Sequence, residues 1–459
     1  MKKKLMAVAA AGVLTVATAV PALALENEFH GMFRLFGYVS NFTDGAGGFV
    51  TTGTGTGDLA KDAKTRTYAE QRARLLYSAK ANDDLKLITH FEIDSRWGDA
   101  SYAVNRGQGG AIGADQVNLE TKNVYLDFNI PTTAVNVKAG IQPWTDSYGG
   151  ILVNADQAGV LASGKYAGFS NSIGWFRFNE DLRPSSTFNA TTGVTTTTNT
   201  TFPGRATRDF FVADAKYNLT KDVKLGGSYY LLTDDRTSAN TYTHMLGLNA
   251  EVKLDPVTVT GFGLYQFGDT PGVGNSDLNA FALGALAKAK VGIGTAKAAL
   301  LYTSGEQGSV AAGRDSSAFQ AIAPESNFFA ADMMIMLRSK WNINTDRALV
   351  HNLNNNNNGF FGAFVGYDAN ITNKLYANAN VGLGAAAQLR NKGTATEPDS
   401  NFLGTEINAE VGYKVFDNMT ASLQGAYVVL GDFFQKPKGG ADRNLDDPYL
   451  TRVMLNYAF

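Results

Sequence analysis

Hydrophobic and polar residues alternate along most of this chain, in segments of about ten residues. A period of two places successive side chains on opposite faces of a β-strand. The last segment, residues 449–459, shows the pattern clearly: Phe459, Tyr457, Leu455 and Val453 form an apolar face, whereas Arg452 and Asn456 belong to the opposite face. A terminal strand with one apolar face, one polar face and aromatic residues at its tip is typical of a β-barrel that spans a lipid bilayer.

The same alternation predicts eighteen strands. Short connections rich in Asn, Asp, Pro and Thr alternate with long polar ones, and these residue types favour tight reversals of the chain. The predicted strands are 29–41, 66–81, 85–97, 117–130, 135–142, 160–166, 171–179, 210–219, 223–233, 242–254, 257–267, 278–290, 293–304, 359–370, 374–389, 402–415, 419–431 and 449–459. An even number agrees with a closed single-chain barrel. If segments 160–166 and 171–179 belong to a loop, the count is sixteen.

The composition supports a barrel over the alternatives. Beyond the first 24 residues, no apolar run reaches the length of about 18 residues that a transmembrane helix needs. Only a closed barrel can otherwise pair every backbone amide in lipid. A large soluble β-sandwich or β-helix is the alternative, but the chain has neither a fixed repeat nor a domain linker. The expected fold class is therefore an all-β, transmembrane antiparallel barrel.

The first 24 residues have the organisation of a secretory signal peptide. Three lysines at positions 2–4 precede an apolar run at 5–20, and Ala22 and Ala24 supply an Ala-x-Ala cleavage site. We expect cleavage after Ala24 and one mature domain, residues 25–459. The alternative is an N-terminal membrane anchor, for which the apolar run is short.

Charge and chemistry exclude several classes of function. Without the three N-terminal lysines the chain has 37 basic and 42 acidic residues, a formal charge of −5, and it has no polybasic segment. We therefore expect no nucleic-acid partner. The absence of cysteine excludes disulfides and thiolate metal sites. The four histidines have no metal-binding spacing, and no Gly-x-Ser-x-Gly motif is present, so we expect no metal, no cofactor and no catalytic residue.

Charged residues on the predicted strands indicate which face meets water. A charged side chain near the bilayer midplane costs about 2–4 kcal/mol, so the charged face of a strand such as 85–97 should line a hydrated lumen. The predicted basic residues of the pore are Arg34, Arg66, Arg72, Arg74, Lys86, Arg96 and Lys138, and the predicted acidic residues of the lumen are Glu70, Glu92 and Asp94. Such a wall would set ion selectivity. The alternative is that these residues pair with one another inside a plugged barrel.

Two features resemble a known family. A terminal Phe459 on an alternating strand resembles the C-terminal signature of Gram-negative outer-membrane β-barrels, and residues 137–143 resemble the porin strand that leads into the inward-folding third loop. The resemblance covers the full mature length. It implies a bacterial outer-membrane porin, a homotrimer in outer-membrane lipid whose water-filled channel lets small hydrophilic solutes and ions diffuse passively. It also implies that long loops face outside and tight turns face the periplasm.

The resemblance further implies that the loop after the fifth predicted strand folds inward and constricts the pore. Asp146 and Asp156 are the acidic residues of this constriction loop, and they would face Arg66, Arg72 and Arg74 across it. Opposed charges of this kind create a transverse field that favours small polar solutes. The alternative is an ordinary outside loop.

Two other functions stay open at this point. A substrate-selective channel for a carboxylate, phosphate or sugar would suit eighteen strands, and the basic wall favours the anionic solutes. A structural or surface barrel without an open pore would suit the long polar loops. Within the longest loop, the apolar patch 333–337 is expected to pack over the barrel mouth or on a partner subunit. The Asn run 354–358 and the Thr-rich tract 191–201 are expected to be mobile surface.

Overall fold

The structure is a computed structural model. It describes residues 26–42, 52–54, 59–100, 107–113, 117–180, 184–189, 194–199, 204, 206–237, 240–273, 276–306, 315–322, 332–341, 343, 348–389, 392 and 397–459, with the backbone alone for 52–54, 107–108, 184–189 and 194–199. The expected signal peptide, residues 1–24, lies outside the described residues, as do parts of the Thr-rich tract.

Strands dominate the described chain, because the period-two segments of the sequence form them. They are β1 (Glu26–Ser40), β2 (Thr52–Thr54), β3 (Leu59–Lys61), β4 (Arg66–Asn82), β5 (Leu85–Trp97), β6 (Gly107–Gly110), β7 (Glu120–Asn129), β8 (Val135–Thr145), β9 (Asn154–Tyr166), β10 (Phe169–Glu180), β11 (Pro184–Asn189), β12 (Val194–Asn199), β13 (Thr207–Asn218), β14 (Val223–Asp234), β15 (Thr241–Leu254), β16 (Val257–Asp269), β17 (Asp277–Val291), β18 (Gly294–Thr303), β19 (Phe360–Asn370), β20 (Leu375–Ala385), β21 (Phe402–Phe416), β22 (Met419–Leu430) and β23 (Tyr449–Ala458). A short helix, α1 (Asp432–Gln435), follows β22. No helix in the described part of the chain is long and apolar enough to cross a membrane.

Eighteen of these strands form one closed antiparallel barrel. The order around the ring is β1, β4, β5, β7 to β10 and β13 to β23, and β1 pairs with both β4 and β23 to close it. Strand β6 lies outside the ring, parallel to β5, while β11 and β12 form a separate hairpin. The predicted count of eighteen is confirmed. The segments predicted at 160–166 and 171–179 are β9 and β10, so the alternative of sixteen strands is wrong.

The barrel closes at the last residue of the chain. The N–H of Gly31 donates to the carbonyl of Phe459 at 2.8 Å, and the N–H of Phe459 donates back to the carbonyl of Gly31 at 3.0 Å. A Cβ atom at position 31 would lie 2.4 Å from Cζ of the Phe459 ring, so glycine makes room for that ring. The Tyr457 ring stacks on it, with centroids 5.6 Å apart.

The two ends of the barrel differ in their connections. Eight connections of two to five residues lie at the end that holds both Glu26 and Phe459, and the longer connections lie at the other end. In the two-residue turn between β9 and β10, Ala167 and Gly168 have φ of 49° and 85°. Positive φ at both central residues is the geometry of a type I′ turn, whose twist matches that of the flanking strands.

The outer and inner faces of the strands differ as the alternation predicts. On β17, Phe281 and Leu283 are exposed on the outer face, whereas Ala280 and Ala282 are completely buried on the inner face. The outer face therefore carries an apolar band, and the buried core lies inside the barrel, where loops fold in and pack against the wall.

Residues 146–153, which join β8 to β9, form the first inward segment. Ile151, Leu152 and Val153 are fully buried, and the Tyr148 ring lies 5.5 Å from the ring of Phe262 on β16. The predicted inward-folded loop after the fifth strand is therefore confirmed. Its position follows from packing, because apolar and aromatic side chains from β10, β13 and β14 cover it inside the barrel.

Residues 332–341 form the second inward segment, which the sequence did not predict. Met333, Met334 and Met336 belong to the buried core inside the barrel. The expectation that the patch 333–337 covers the mouth or contacts a partner subunit is therefore wrong. Three consecutive backbone N–H groups of this segment donate hydrogen bonds to a carboxylate on the barrel wall, and this pairing allows the segment to lie inside the barrel.

The Asn run also differs from the expectation of mobile surface. Residues 355, 356 and 357 have positive φ of 48°, 55° and 65°, a conformation that Asn tolerates better than most residues. The Asn354 amide donates to the carbonyl of Phe319 at 3.0 Å, and its oxygen accepts from the N–H of Asn357 at 2.7 Å. These bonds tie the run to the loop beneath it.

Candidate functional site

A cavity of about 670 Å³ lies in the lumen, between the second inward segment and the barrel wall formed by β1, β4, β5 and β7 to β9. We call it the eyelet cavity. Its cationic lining residues are Arg34, Arg72, Arg74, Lys122, Arg338 and Lys340, and its anionic lining residues are Glu92, Glu120 and Asp156. Six positive charges against three negative ones, in a tube with low-dielectric walls, produce a net positive potential.

The strand register sets the rows of charge on the wall. Arg34 of β1 lies opposite Arg72 of β4, which lies opposite Asp94 of β5. The Arg72 guanidinium binds Asp94 with two hydrogen bonds of 2.7 Å, from Nε and Nη2, and it approaches Glu92 to 3.3 Å. This bidentate geometry is the strong form of an Arg–carboxylate pair and holds Arg72 rigidly.

The neighbouring row carries a second ion pair. Arg74 of β4 lies opposite Glu92 of β5, and their side chains form a salt bridge. Across the cavity, Asp156 of β9 forms a salt bridge with Lys122 of β7 and accepts from the Asn123 amide at 2.7 Å. Charges of both signs therefore face the cavity, but most carboxylates are already bound to a cation.

Asp146 behaves differently from the prediction. Its carboxylate is buried and accepts hydrogen bonds from four N–H groups of its own loop, those of Tyr148, Gly150, Leu152 and Val153, at 2.7 to 3.0 Å. Burial raises the pKa of the Asp146 carboxyl, and the four donors oppose that rise because they stabilise the charged form. Asp146 therefore shapes the loop and does not line the cavity. The local order Asp-x-Tyr-Gly-Gly is a signal for such a turn.

The predicted pore residues divide into two groups. Arg34, Arg72, Arg74, Glu92 and Asp156 line the eyelet cavity, whereas Arg66, Lys86, Arg96, Lys138, Glu70, Asp94 and Asp146 do not. Lys86 lies near the tight-turn end, 3.7 Å from Asp127, and the Lys138 amine lies 5.7 Å from the Tyr125 ring. Arg96 lies at the other end of β5 and pairs with Asp99 at 2.9 Å.

Lys122 was missed because a β-bulge reverses its direction. The outward positions of Val124 and Leu126 would place Lys122 on the lipid-facing side of β7. The register between β5 and β7 shifts at His90 and Phe91, however, and Lys122 is the extra residue at that point. A bulge re-aims the side chain of the inserted residue, and here it turns the amine into the lumen.

Arg338 and Lys340 were missed because they lie in a loop, where no alternation assigns a face. Three hydrogen bonds place their segment in the lumen: the Glu406 carboxylate of β21 accepts from the N–H groups of Met334, Ile335 and Met336 at 2.5 to 3.0 Å. Glu406 is 70 to 72 residues away along the chain from the three residues that it binds.

The other end of the second inward segment reaches the basic wall. Arg452 of β23 is fully buried and donates from Nη2 to Oγ of Ser339 at 3.3 Å. At the start of the segment, Asp332 binds Lys297 and accepts from Lys340 at 2.7 Å. Burial would raise the pKa of Asp332, but Lys340 and Lys297 outweigh it and lower the pKa. The segment thus lies inside the barrel along the wall from β21 to β23.

No protein-family model matches this sequence, and no curated protein is significantly similar to it. Solved structures do match. OccAB4 of Acinetobacter baumannii superposes with a TM-score of 0.53 at 14% identity, over 94% of this chain and 98% of that chain. The barrel has the fold of an outer-membrane porin.

Two proteins of Pseudomonas aeruginosa agree with this result. OccK9 (OpdG) has a TM-score of 0.54 at 13% identity, over 95% of this chain and 98% of that chain. OccK2 (OpdF), solved in complex with glucuronate, has a TM-score of 0.52 at 13% identity with the same coverage. At such identities the similarity extends to the fold, and the eyelet residues must be argued from this chain alone.

Proposed function

We propose that this protein is an outer-membrane porin, a channel through which small hydrophilic solutes and ions diffuse passively. One observation carries the proposal: a closed eighteen-strand barrel with an apolar outer band encloses a charged cavity of about 670 Å³. A barrel of this width cannot be filled by wall side chains alone, so its inward segments set the width of the passage. The solved structures with the same fold are channels, which supports transport over catalysis.

The eyelet cavity favours anions. Its six cationic and three anionic side chains give a surplus of positive charge, and rings of charge select ions of opposite sign. A substrate-selective channel for a small carboxylate or phosphate is therefore the second candidate function. The similar OccK2 structure contains glucuronate, a carboxylate sugar, and that observation favours the carboxylates over neutral sugars here.

The remaining proposals rest on the porin resemblance. The signal peptide would direct export and be cleaved after Ala24, and the mature chain, residues 25–459, would reside in the lipid of the bacterial outer membrane as a homotrimer. N-terminal sequencing of the protein from outer membranes tests the cleavage site. Native mass measurement in detergent tests the trimer, and a monomeric mass would contradict it.

Single-channel recording in a planar bilayer tests the function. The purified protein should produce discrete conductance steps, and under a KCl gradient the reversal potential should have the sign of chloride preference. Absence of any steps would contradict the porin function and favour a structural barrel. A reversal potential of the opposite sign would leave the porin function in place and contradict the anion preference.

A further inference from the structure

Arg34 differs from the other cations of the eyelet wall. Arg72 pairs with Asp94, and Arg74 pairs with Glu92. Arg34 has no carboxylate partner within the part of the chain that the structure describes; its hydrogen bond runs from Nε to the amide oxygen of Asn456 at 3.1 Å. Its charge therefore stays uncompensated where the others are neutralised by a wall carboxylate.

The partner of the Arg34 guanidinium is an aromatic ring. The half-buried Trp341, in the second inward segment, has its ring centroid 4.9 Å from Cζ of Arg34 and 5.3 Å from Nζ of Lys340. A cation over the face of an indole ring is attracted by the ring quadrupole. An aromatic partner thus fixes the position of a guanidinium without cancelling its charge, as a carboxylate would.

The surroundings strengthen the field at this position. Arg72, Arg74 and Arg452 all act electrostatically on Arg34 with the same sign. Two of these arginines approach the same aromatic ring: Cζ of Arg452 lies 4.7 Å from the centroid of the Phe36 ring, and Cζ of Arg34 lies 5.9 Å from it. These neighbouring positive charges repel the Arg34 guanidinium, so this flexible side chain would turn away unless other contacts held it. Asn456 and Trp341 supply those contacts.

We propose that Trp341 is a positioning residue that holds the Arg34 guanidinium in the eyelet, and that Arg34 is the group that first binds anionic solutes there. This inference rests on the proposed channel function and assigns its selectivity to one pair of residues. The barrel wall contributes the positive charge of Arg34, and the second inward segment contributes the Trp341 ring that holds the guanidinium in place. Trp341 carries no charge, so its effect on selectivity must pass through a cation that its ring contacts, Arg34 or Lys340, and the double-mutant cycle with Arg34 distinguishes the two.

Substitution of Trp341 tests the proposal in bilayer recordings. Trp341→Ala should lower the chloride-to-potassium permeability ratio about two- to five-fold and raise the half-blocking concentration of glucuronate by a similar factor, since that is the strength of a cation–π contact that water still reaches. Trp341→Phe, which keeps a ring face, should restore most of both values. The matched control is Trp175→Ala on β10, whose ring lies 5.5 Å from Arg177 outside the cavity and whose loss should change neither value.

A double-mutant cycle separates positioning from simple space filling. Arg34→Gln should reproduce the loss seen in Trp341→Ala, and the combination should add little to either single change, because both act through one guanidinium. Additive losses would overturn the proposal. A Trp341→Ala channel with larger conductance but wild-type permeability ratio and block would also overturn it, and would show that the ring only fills space.

The wild-type recording distinguishes this inference from the function on which it rests. A wild-type protein that produces no conductance steps contradicts the channel function, and this inference fails with it. An anion-preferring wild-type channel that is indifferent to Arg34→Gln overturns the present inference alone. Retention of barrel folding in each variant is checked by the shift in electrophoretic mobility between heated and unheated samples.

Discussion

The two inward segments lie in the same lumen, but the first contributes apolar packing and the second contributes charged side chains. The first, residues 146–153, turns its only carboxylate onto its own backbone and packs apolar side chains against the wall. The second, residues 332–341, borrows a carboxylate from the wall and presents Arg338 and Lys340 to the cavity. An inward loop can therefore narrow a pore by shape alone, or it can also change the charge of the pore. The difference follows from where the carboxylate that binds the loop's N–H groups lies: within the loop (Asp146) or on the wall (Glu406).

The largest effect should come from the anchor of the second segment. Glu406→Ala removes an acceptor shared by three buried N–H groups, and each hydrogen bond to a charged group contributes about 1.5–3 kcal/mol. We expect the segment to leave the lumen, which should increase the single-channel conductance and lower the thermal stability. Glu410→Ala is the matched control, because Glu410 lies on the same strand but binds Tyr376 and Asn378 of the wall. Equal conductance in both variants would contradict the anchoring role.

The anchor of the first segment should affect shape and leave selectivity unchanged. Asp146→Asn replaces one of two acceptor oxygens by an amide that cannot accept, so two of four loop N–H groups lose their partner. Unpaired buried donors cost about 1–3 kcal/mol each. Thermal unfolding should shift to lower temperature and the conductance should change, whereas the permeability ratio should stay at the wild-type value. A changed permeability ratio would mean that Asp146 acts on the passing ions after all.

Removal of a charge from the second segment should change the permeability ratio and leave the stability nearly unchanged, which is the reverse of the result expected for Asp146→Asn. Arg338→Gln or Lys340→Gln removes one positive charge from the eyelet cavity, so the chloride-to-potassium ratio should fall about two- to five-fold with little change in stability. Tyr148→Phe on the first segment serves as the comparison and should leave the ratio unchanged. If the lysine and arginine variants keep the wild-type reversal potential, the second segment constricts by shape alone.

The smallest effect concerns pH. Asp332 has a lowered pKa, so its stabilising contacts with Lys297 and Lys340 are complete above the ordinary carboxyl pKa of about 3.9 and are lost only as the pH falls through the lowered value. Acidification from pH 7 to pH 5 should therefore leave the frequency of current fluctuations from this contact unchanged. Asp332→Asn should increase those fluctuations at both pH values. A marked rise in the wild-type protein between pH 7 and pH 5 would contradict the assignment.

Sequence alone predicted the strands because alternation with a period of two is local information. The wall residues Arg34, Arg72 and Arg74 could be placed in this way, since Arg34 and Arg74 lie between apolar neighbours and Arg72 is two positions before Arg74 on the same face. Lys122 could not, because a single bulge inverts the face assignment and has no signature in the alternation. The bulge is set by pairing with β5, which is a property of two strands.

The second inward segment lay beyond prediction for a related reason. Its position depends on Glu406, which is about seventy residues away along the chain, and on Arg452, which lies on the last strand. Contacts of such separation are decided by the closed fold. The buried role of Asp146, in contrast, was readable from its own loop, because an acidic residue followed closely by two glycines favours a turn around the carboxylate.

The bond pair between Gly31 and Phe459 has a consequence for how the protein is made. Strands β1 and β23 pair across a long stretch of sequence, since the facing residues Arg34 and Asn456 are 422 positions apart. Open strand edges are templates for unwanted pairing. Until β23 pairs with β1, the sheet therefore keeps two open edges, and removal of Phe459 would remove both hydrogen bonds of this pair.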